Sequence, residues 1–409
     1  MSGSNILFIL TGSIAAYKAC DVVSQLVQRG HRVRTVATES ALKFIGPATL
    51  EGLTGTPVLS DLFAPGAALE HINLTRWAEA VIVCPATAHT LARLAAGLAD
   101  DLPGALFLAH DRAKPWLVAP AMNPAMWAHP ATQASVAKLR EWGVRFLPVG
   151  AGRTACGETG EGRLAEPDLI VASIEAALAR PARRLRVLIT SGGTAEPIDG
   201  VRVLTNTSTG GTGAGLAAHL MRCGHDVVLL RAGTSAPCPP LVREETFSSF
   251  ASLQSALARL LHQEHFDVVI QAAAVGDFAV ESVIGGGTEY APGQTKLDST
   301  TPLALRLRPN PKLVDGLRSL SQNPSLAVVA FKLTDRAAPA AVAAEVAELF
   351  TRAGADWVVH NDLVARGEAP EAFPSDIHAR HDGSVVHCAT RQVLAVTLEK
   401  LLTLSPTTP

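Results

Sequence analysis

Residues 5–38 read NILFILTGSIAAYKACDVVSQLVQRGHRVRTVAT. The first six are apolar without a charged interruption, the mark of a strand covered on both faces in a parallel sheet. Thr11-Gly12-Ser13 turns that run, and residues 14–29 then carry apolar positions at helical spacing up to Gly30-His31. Residues 33–38 return to a strand, which completes a βαβ unit. Its Gly-Ser turn sets backbone N–H groups at a helix N-terminus, an anion site. The spacing is not GxGxxG, so a mononucleotide phosphate is expected in place of a dinucleotide. The plainer alternative is a tight βα turn, which every α/β protein needs.

The pattern restarts in the second half. Residues 185–190 read as a strand, Ser191-Gly192-Gly193-Thr194 as a glycine turn and 213–222 as a helix. Cys223-Gly224-His225 then precedes a strand at 227–230, as Arg29-Gly30-His31 precedes the strand at 33–38. A chain of 409 residues exceeds one ordinary core. The expectation is an α/β protein of two Rossmann-like three-layer domains with mostly parallel sheets. Arg180-Pro-Ala-Arg-Arg184 is the polar break between them, giving domains 1–182 and 183–409.

Composition narrows the partners. With 48% hydrophobic and 18% charged residues the chain is globular, and a formal charge of −2 offers no pull toward nucleic acid or a membrane surface. The N-terminus lacks a charged n-region, and Gly12 interrupts the apolar run too early for a signal peptide or span. A cytoplasmic protein is expected. Six cysteines, at 20, 84, 156, 223, 238 and 388, show neither CxxC nor zinc-ligand spacing, so reduced thiols are the default.

Strand ends supply the chemistry. An apolar strand at 116–119 meets Pro120 and leads into Ala-Met122-Asn123-Pro-Ala-Met126, which would face a crevice; Asn123 offers a donor and an acceptor for a carboxylate or amide. A Pro-rich turn with methionine as filler is the bland counterpart. His71 and Arg76 precede the strand at 80–84, where they could sit at the mouth of the same crevice, and Pro85-Ala86-Thr87 ends that strand. The glycine-rich run 150–163 holds Cys156 in an exposed loop that would fold over something, or else is merely flexible. In the second half, residues 195–210 bring small hydroxyl and amide groups before a helix N-terminus. Asp277 follows the strand at 268–272, and Lys296 follows a glycine-rich flap at 285–294. Asn310-Pro311-Lys312 opens a helix, while Phe331-Lys332 and Asn361-Asp362 close strands. A hairpin is expected around Asp382-Gly383, with a last helix from Arg391.

Taken together, GSIAAYK (12–18), His71 with Arg76, Pro85-Ala-Thr87, PAMNPAMW (120–127) and ACGETGEGR (155–163) resemble the flavin-dependent decarboxylases of C-terminal or N-acylated cysteine. SGGTAEPIDGVRVLTN (191–206), AAVGDF (273–278), the flap lysine, NPK (310–312) and HND (360–362) resemble phosphopantothenate-cysteine ligases. The likeness spans nearly the whole chain, in the order of the bifunctional coenzyme A biosynthesis family.

The resemblance implies CTP-driven ligation of cysteine to 4'-phosphopantothenate through an acyl-cytidylate. FMN-dependent decarboxylation of 4'-phosphopantothenoylcysteine to 4'-phosphopantetheine would follow, by way of a thioaldehyde. It places FMN on Gly12, Ser13, Ile14, Thr38, Ser40, Pro85, Ala86 and Thr87. His71 assists the oxidation, Asn123 binds the substrate carboxylate, Arg76 and Met126 shape the pocket, and Cys156 protonates the enethiolate. In the ligase half, Asn206 holds the acyl-cytidylate and Lys296 the developing phosphate charge. Gln271, Ala272, Ala273, Asp277, Pro311, Lys312, Leu313, Val314 and Phe331 meet the nucleotide, with Mg2+ on the triphosphate. It also implies a homo-oligomer with trimeric flavin domains. Departures fall in the second half. The loop 208–211 reads Ser-Thr-Gly-Gly without the family's lysine, the flap has Lys296 followed by Leu297-Asp298, and two family lysines fall near Leu349 and Ala353. The alternative is a decarboxylase with a structural or regulatory ligase-like domain. A non-catalytic regulatory protein and a flavin prenyltransferase fit the motifs less well.

Overall fold

A computed structural model describes residues 3–65, 69–153, 157–294, 296–298, 300, 302–364 and 372–404. The chain divides into two compact units, Met1–Ala179 and Arg180–Pro409.

In the first unit the elements run β1 (Asn5–Leu10), α1 (Ala16–Gln28), β2 (Arg32–Ala37), α2 (Glu39–Leu42), α3 (Pro47–Thr54), α4 (Glu70–Trp77), β3 (Ala80–Ala86) and α5 (Ala88–Ala96). There follow α6 (Leu102–Ala109), β4 (Trp116–Pro120), α7 (Pro124–Ala128), α8 (Pro130–Glu141), β5 (Arg145–Phe146), β6 (Gly150–Arg153), β7 (Thr159–Arg163) and α9 (Pro167–Leu178). Five strands form one parallel sheet ordered β2-β1-β3-β4-β5. Alternation along β1 sends Ile6, Phe8 and Leu10 into the core under α1, α3 and α9, and Leu7 and Ile9 into the core under α4, α5, α6 and α8. Both faces are covered, which is why β1 reads as an unbroken apolar run.

The second unit holds β8 (Arg186–Ser191), β9 (Ala195–Pro197), β10 (Val203–Thr205), α10 (Gly211–Arg222), β11 (Asp226–Ala232), β12 (Arg243–Phe247), α11 (Phe250–Gln263), β13 (Val268–Gln271), β14 (Phe278–Gly285) and β15 (Thr288–Tyr290). It continues with β16 (Leu303–Pro309), a 3-10 turn at Leu313–Gly316, α12 (Leu317–Leu320), β17 (Ala327–Thr334), α13 (Pro339–Arg352), β18 (Trp357–Asp362), β19 (Ala372–Ala379), β20 (Val385–Thr390) and α14 (Arg391–Leu404). Its eight-stranded sheet is ordered β12-β11-β8-β13-β17-β18-β19-β20. The pairs from β12 to β18 are parallel, and β18-β19-β20 is antiparallel. The α/β expectation is met, including the hairpin around Asp382-Gly383.

Several boundaries differ from the sequence reading. Asp101-Leu-Pro, which the sequence suggests as the close of the Ala/Leu helix before it, is a helix start: Asp101 caps α6 by accepting from Gly104 N at 2.8 Å, and Pro103 sits in the first turn, where its missing N–H costs nothing. Pro85 does not end its strand; β3 continues to Ala86 across a register irregularity. Phe331-Lys332 lies inside β17, which runs to Thr334. Residues 278–285 and 303–309 form antiparallel strands that the flap reading did not contain.

Candidate functional site

In the first unit, strand order reverses between β1 and β3, and such a switch point opens a crevice at the C-terminal strand ends. One hydroxyl ties the two loops there. Thr11 Oγ1 donates to the Pro85 carbonyl at 2.6 Å and accepts from Thr87 N at 3.2 Å. Gly12 is glycine because of Ser40: a Cβ on residue 12 would stand 2.5 Å from the Ser40 Cβ. Thr38 caps α2 through Ala41 N and Thr87 caps α5 through Thr90 N. By contrast α1 begins with no side-chain cap and no acid in its first turn. Its positive end is left for an external anion, beside the exposed apolar side chains of Ile14 and Tyr17. A Gly12→Val substitution is expected to force Ser40 away and abolish retention of a bound phosphate-bearing cofactor, checked by the absorption spectrum of the purified protein.

Asn123 caps α7. Its Oδ1 accepts from Ala125 N at 2.8 Å and Met126 N at 3.4 Å, while its Nδ2 donates to the Glu158 carboxylate. Met126 stands half exposed on that helix. From the glycine run, β6 and β7 pair antiparallel and lie on this segment, with Met122 N donating to the Gly162 carbonyl at 2.8 Å. A side chain on Gly162, at φ 137°, would meet the Met122 carbonyl at 2.5 Å; one on Gly160 would meet Pro124 at 3.0 Å. The glycines allow these strands to lie flat. Cys156 lies outside the described residues, but Arg153 of β6 and Thr159 of β7, on either side of it in sequence, pair with each other, and Glu158 touches Asn123.

His71 and Arg76 lie elsewhere. Their helix, α4, packs beside β1, β2 and α6: Glu70 pairs with Arg34 of β2 at 2.9 Å, and Asn5 of β1 donates to the Trp77 carbonyl at 3.0 Å. Asn123 follows β4, which lies two strand positions from β1. His71 Nδ1 is buried without a hydrogen-bond partner. Arg76 is exposed at the helix end that Lys114 caps through three carbonyls.

The second unit repeats the device. Strand order reverses between β8 and β13, and their following loops are laced together. Ala274 N donates to the Gly192 carbonyl at 2.8 Å, Ala273 N to Thr190 Oγ1 at 3.1 Å, and Gly276 N to Thr194 Oγ1 at 2.9 Å. Asn206 reaches in from the far side, its Nδ2 donating to the Ala274 carbonyl at 3.1 Å. Gly210, at φ 74°, delivers α10 onto the end of β8, where Ser191 Oγ donates to its carbonyl at 2.7 Å. Asn310 joins through the Gly276 carbonyl, and Lys312 pairs with Asp277. Pro311, Lys312, Leu313 and Val314 thus flank the β13 loop, Ala272 and Ala273 form it, and half-buried Phe331 stands on β17 next to β13. Gln271 is buried at the strand end, and neither of its amide atoms has a partner in the protein.

Lys296 is exposed and held by its neighbours: Leu297 N donates to Asp199 Oδ2 at 3.2 Å, and Arg202 donates to the Leu297 carbonyl. The amides of Val201 and Arg202 hold the Asp199 carboxyl below its ordinary value. A depressed carboxyl contributes its stability above the unfolded pKa, about 3.9, and loses it as pH falls through the folded value. Asp199→Asn is expected to flatten that acid limb of a denaturation curve and to free the segment that bears Lys296.

With that geometry in place, comparison with known proteins becomes informative. The Flavoprotein family profile matches residues 1–179, and that of the DNA/pantothenate metabolism flavoprotein C-terminal domain matches 182–391. The coenzyme A biosynthesis bifunctional protein CoaBC of Mycobacterium tuberculosis is 38% identical over 378 residues, spanning 90% of this chain and 88% of its own. This chain belongs to the CoaBC family. CoaBC of Escherichia coli is 35% identical over 330 residues, 79% of this chain and 78% of its own.

Of the second-half positions where the sequence departs from the expected lysines, Leu349 and Ala353 are buried in the core between α13 and the sheet, whereas a Cβ on Gly211 would meet only Thr209 Oγ1 at 3.5 Å, an ordinary contact. Gly210 and Gly211 form the docking turn of α10. A Cβ on Gly210 would meet Ser235 at 2.7 Å. Thr11, Thr194 and Asp199, which hold the loops together, were not singled out by sequence reasoning. Thr11 and Asp199 each precede a glycine and Thr194 follows one, the signal that would have found them.

Proposed function

We infer that the protein carries out two successive steps of coenzyme A biosynthesis. The second unit ligates cysteine to 4'-phosphopantothenate with CTP, and the first decarboxylates 4'-phosphopantothenoylcysteine to 4'-phosphopantetheine with FMN. The observation that carries this reading is that both units hold a built site at their switch points, while the likeness to CoaBC proteins extends over both. A decarboxylase with an idle second unit would not account for the orphaned amide of Gln271 or the laced β13 loop.

The residues present fit FMN. The cradle at Gly12 excludes any side chain, the uncapped start of α1 suits a phosphate, and Ser13, Thr38, Ser40 and Thr87 border it with hydroxyls. When bound, FMN supplies reversible two-electron oxidation of the thiol-bearing carbon, which gives the departing carboxylate a place to leave its electrons. Asn123 orients the substrate carboxylate; its Nδ2 already takes that chemical group from Glu158. Met126 borders the pocket, and Cys156, between β6 and β7 in sequence, gives a proton to the enethiolate. His71 and Arg76 reach the site from a second copy, so a homo-oligomer, trimeric in its flavin units, completes it.

In the ligase unit Asn206 holds the acyl-cytidylate against the Ala274 loop. Gln271, Ala272, Ala273, Asp277, Pro311, Lys312, Leu313, Val314 and Phe331 surround the nucleotide, and Lys296 answers the charge developing on the phosphates. Mg2+ enters with the triphosphate, whose oxygens supply most of its ligands. Among the described residues no helix is long and apolar enough to cross a membrane and no disulfide is formed; we assign the protein to the reducing cytoplasm. The protein as purified is expected to be yellow, with the absorption of an oxidised flavin at one FMN per chain; a colourless protein that takes up no added FMN would sink the reading of the first unit.

A further inference from the structure

The two units end in a matched arrangement with one difference in its chemistry. In the first, Ser4 N donates to His31 Nδ1 at 3.2 Å, and His31 Nε2 faces Glu175 of the last helix, α9, at 3.8 Å. Arg29, two residues before that histidine, neutralises Glu175 at 2.9 Å. In the second, Leu185 N donates to His225 Nδ1 at 3.1 Å, and His225 Nε2 faces Glu399 of the last helix, α14, at 3.5 Å. The position of Arg29 is taken here by Cys223, and that of Gln25, one turn earlier, by His219. A guanidinium has been exchanged for a thiol and an imidazole beside the same carboxylate.

We propose that His219, Cys223 and Glu399 form a binding site for a thiophilic divalent cation, zinc(II) by its chemistry, which fastens α14 to α10. One ligand atom from each of the three lies within 4.8 Å of the others. His219 Nε2 and Cys223 Sγ are 3.5 Å apart. With bonds of about 2.05 and 2.3 Å, the N···S edge of a tetrahedral zinc site is about 3.6 Å. Leu185 N–H occupies His225 Nδ1, and His225 Nε2 faces Glu399 at 3.5 Å without a hydrogen bond, so His225 is not counted among the ligands. All three ligand residues are partly exposed, which leaves a fourth position for water. Arg222 and Arg184 are the nearby positive charges and Asp267 the nearby negative one. That balance disfavours hard ions such as Mg2+ and leaves selection to the soft thiolate, whose proton is released on binding.

The test uses the full chain, stripped with a chelator and titrated with cobalt(II) in the absence of nucleotide. A thiolate-to-cobalt charge-transfer band saturating at one equivalent is expected, together with a melting temperature for the second unit that rises with added zinc. Cys223→Ser should remove the band and the thermal shift, and His219→Gln should weaken cobalt binding at least about tenfold. Both variants should retain nucleotide-dependent ligation, since neither residue belongs to that site. No band in the wild type, or an undiminished one in Cys223→Ser, overturns the proposal. Should Cys223→Ser fail to fold, unchanged cobalt affinity in His219→Gln overturns it equally.

Discussion

Cys156→Ser is expected to lower conversion of 4'-phosphopantothenoylcysteine to 4'-phosphopantetheine by roughly 10²–10⁴-fold, the span of a positioned proton donor, while FMN stays bound. The reason is the division of labour within the first unit. The flavin cradle is built from the β1 and β3 loops, where Thr11 ties Pro85 to Thr87. Residue 156 falls in sequence between β6 and β7, and β7 rests on Met122 to Pro124. A hydroxyl in place of the thiol leaves the cradle untouched and is a far weaker acid. The oxidised, decarboxylated intermediate should accumulate, visible by mass spectrometry. Unaltered turnover would place the proton donor elsewhere.

Lys296→Ala is expected to cut CTP-dependent ligation by roughly 10²–10³-fold, the cost of removing one preorganised group that meets transition-state charge. Loss of other family lysines makes this one matter more. Lys312 is engaged by Asp277 and Lys332 by Glu345, whereas Lys296 stands exposed on a segment held by Asp199 and Arg202. Decarboxylation of added 4'-phosphopantothenoylcysteine should be unaffected, because the first unit contains its own site. A ligation rate within threefold of wild type would show that another cation does this work.

Much of the architecture could be read from the chain because parallel strands buried on both faces have few sequence disguises: 5–10, 80–84, 116–119, 185–190 and 268–272 read as largely apolar strands, and each overlaps one in the structure. The Asn123 segment was legible for the same reason, since Pro120 and Pro124 mark where β4 gives way to α7. What was not legible was placement across the sheet. His71 lies before β3 in sequence and Asn123 after β4, yet the strand order that sets β3 between their positions is a property of pairing and not of any local motif. The strand 303–309 was missed because its residues are largely exposed, so no apolar pattern marks it. The helix at 102–109 was missed because Pro is both a breaker and an N-terminal residue, and only the Asp101 cap distinguishes the two.

The most direct measurement supplies the purified chain with 4'-phosphopantothenate, cysteine, CTP and Mg2+, and follows CMP and thiol products together by chromatography and mass spectrometry. Two competent units predict 4'-phosphopantetheine at one per CMP released. Decarboxylation of added 4'-phosphopantothenoylcysteine without any CMP formation would contradict the two-step account and leave the second unit without its reaction.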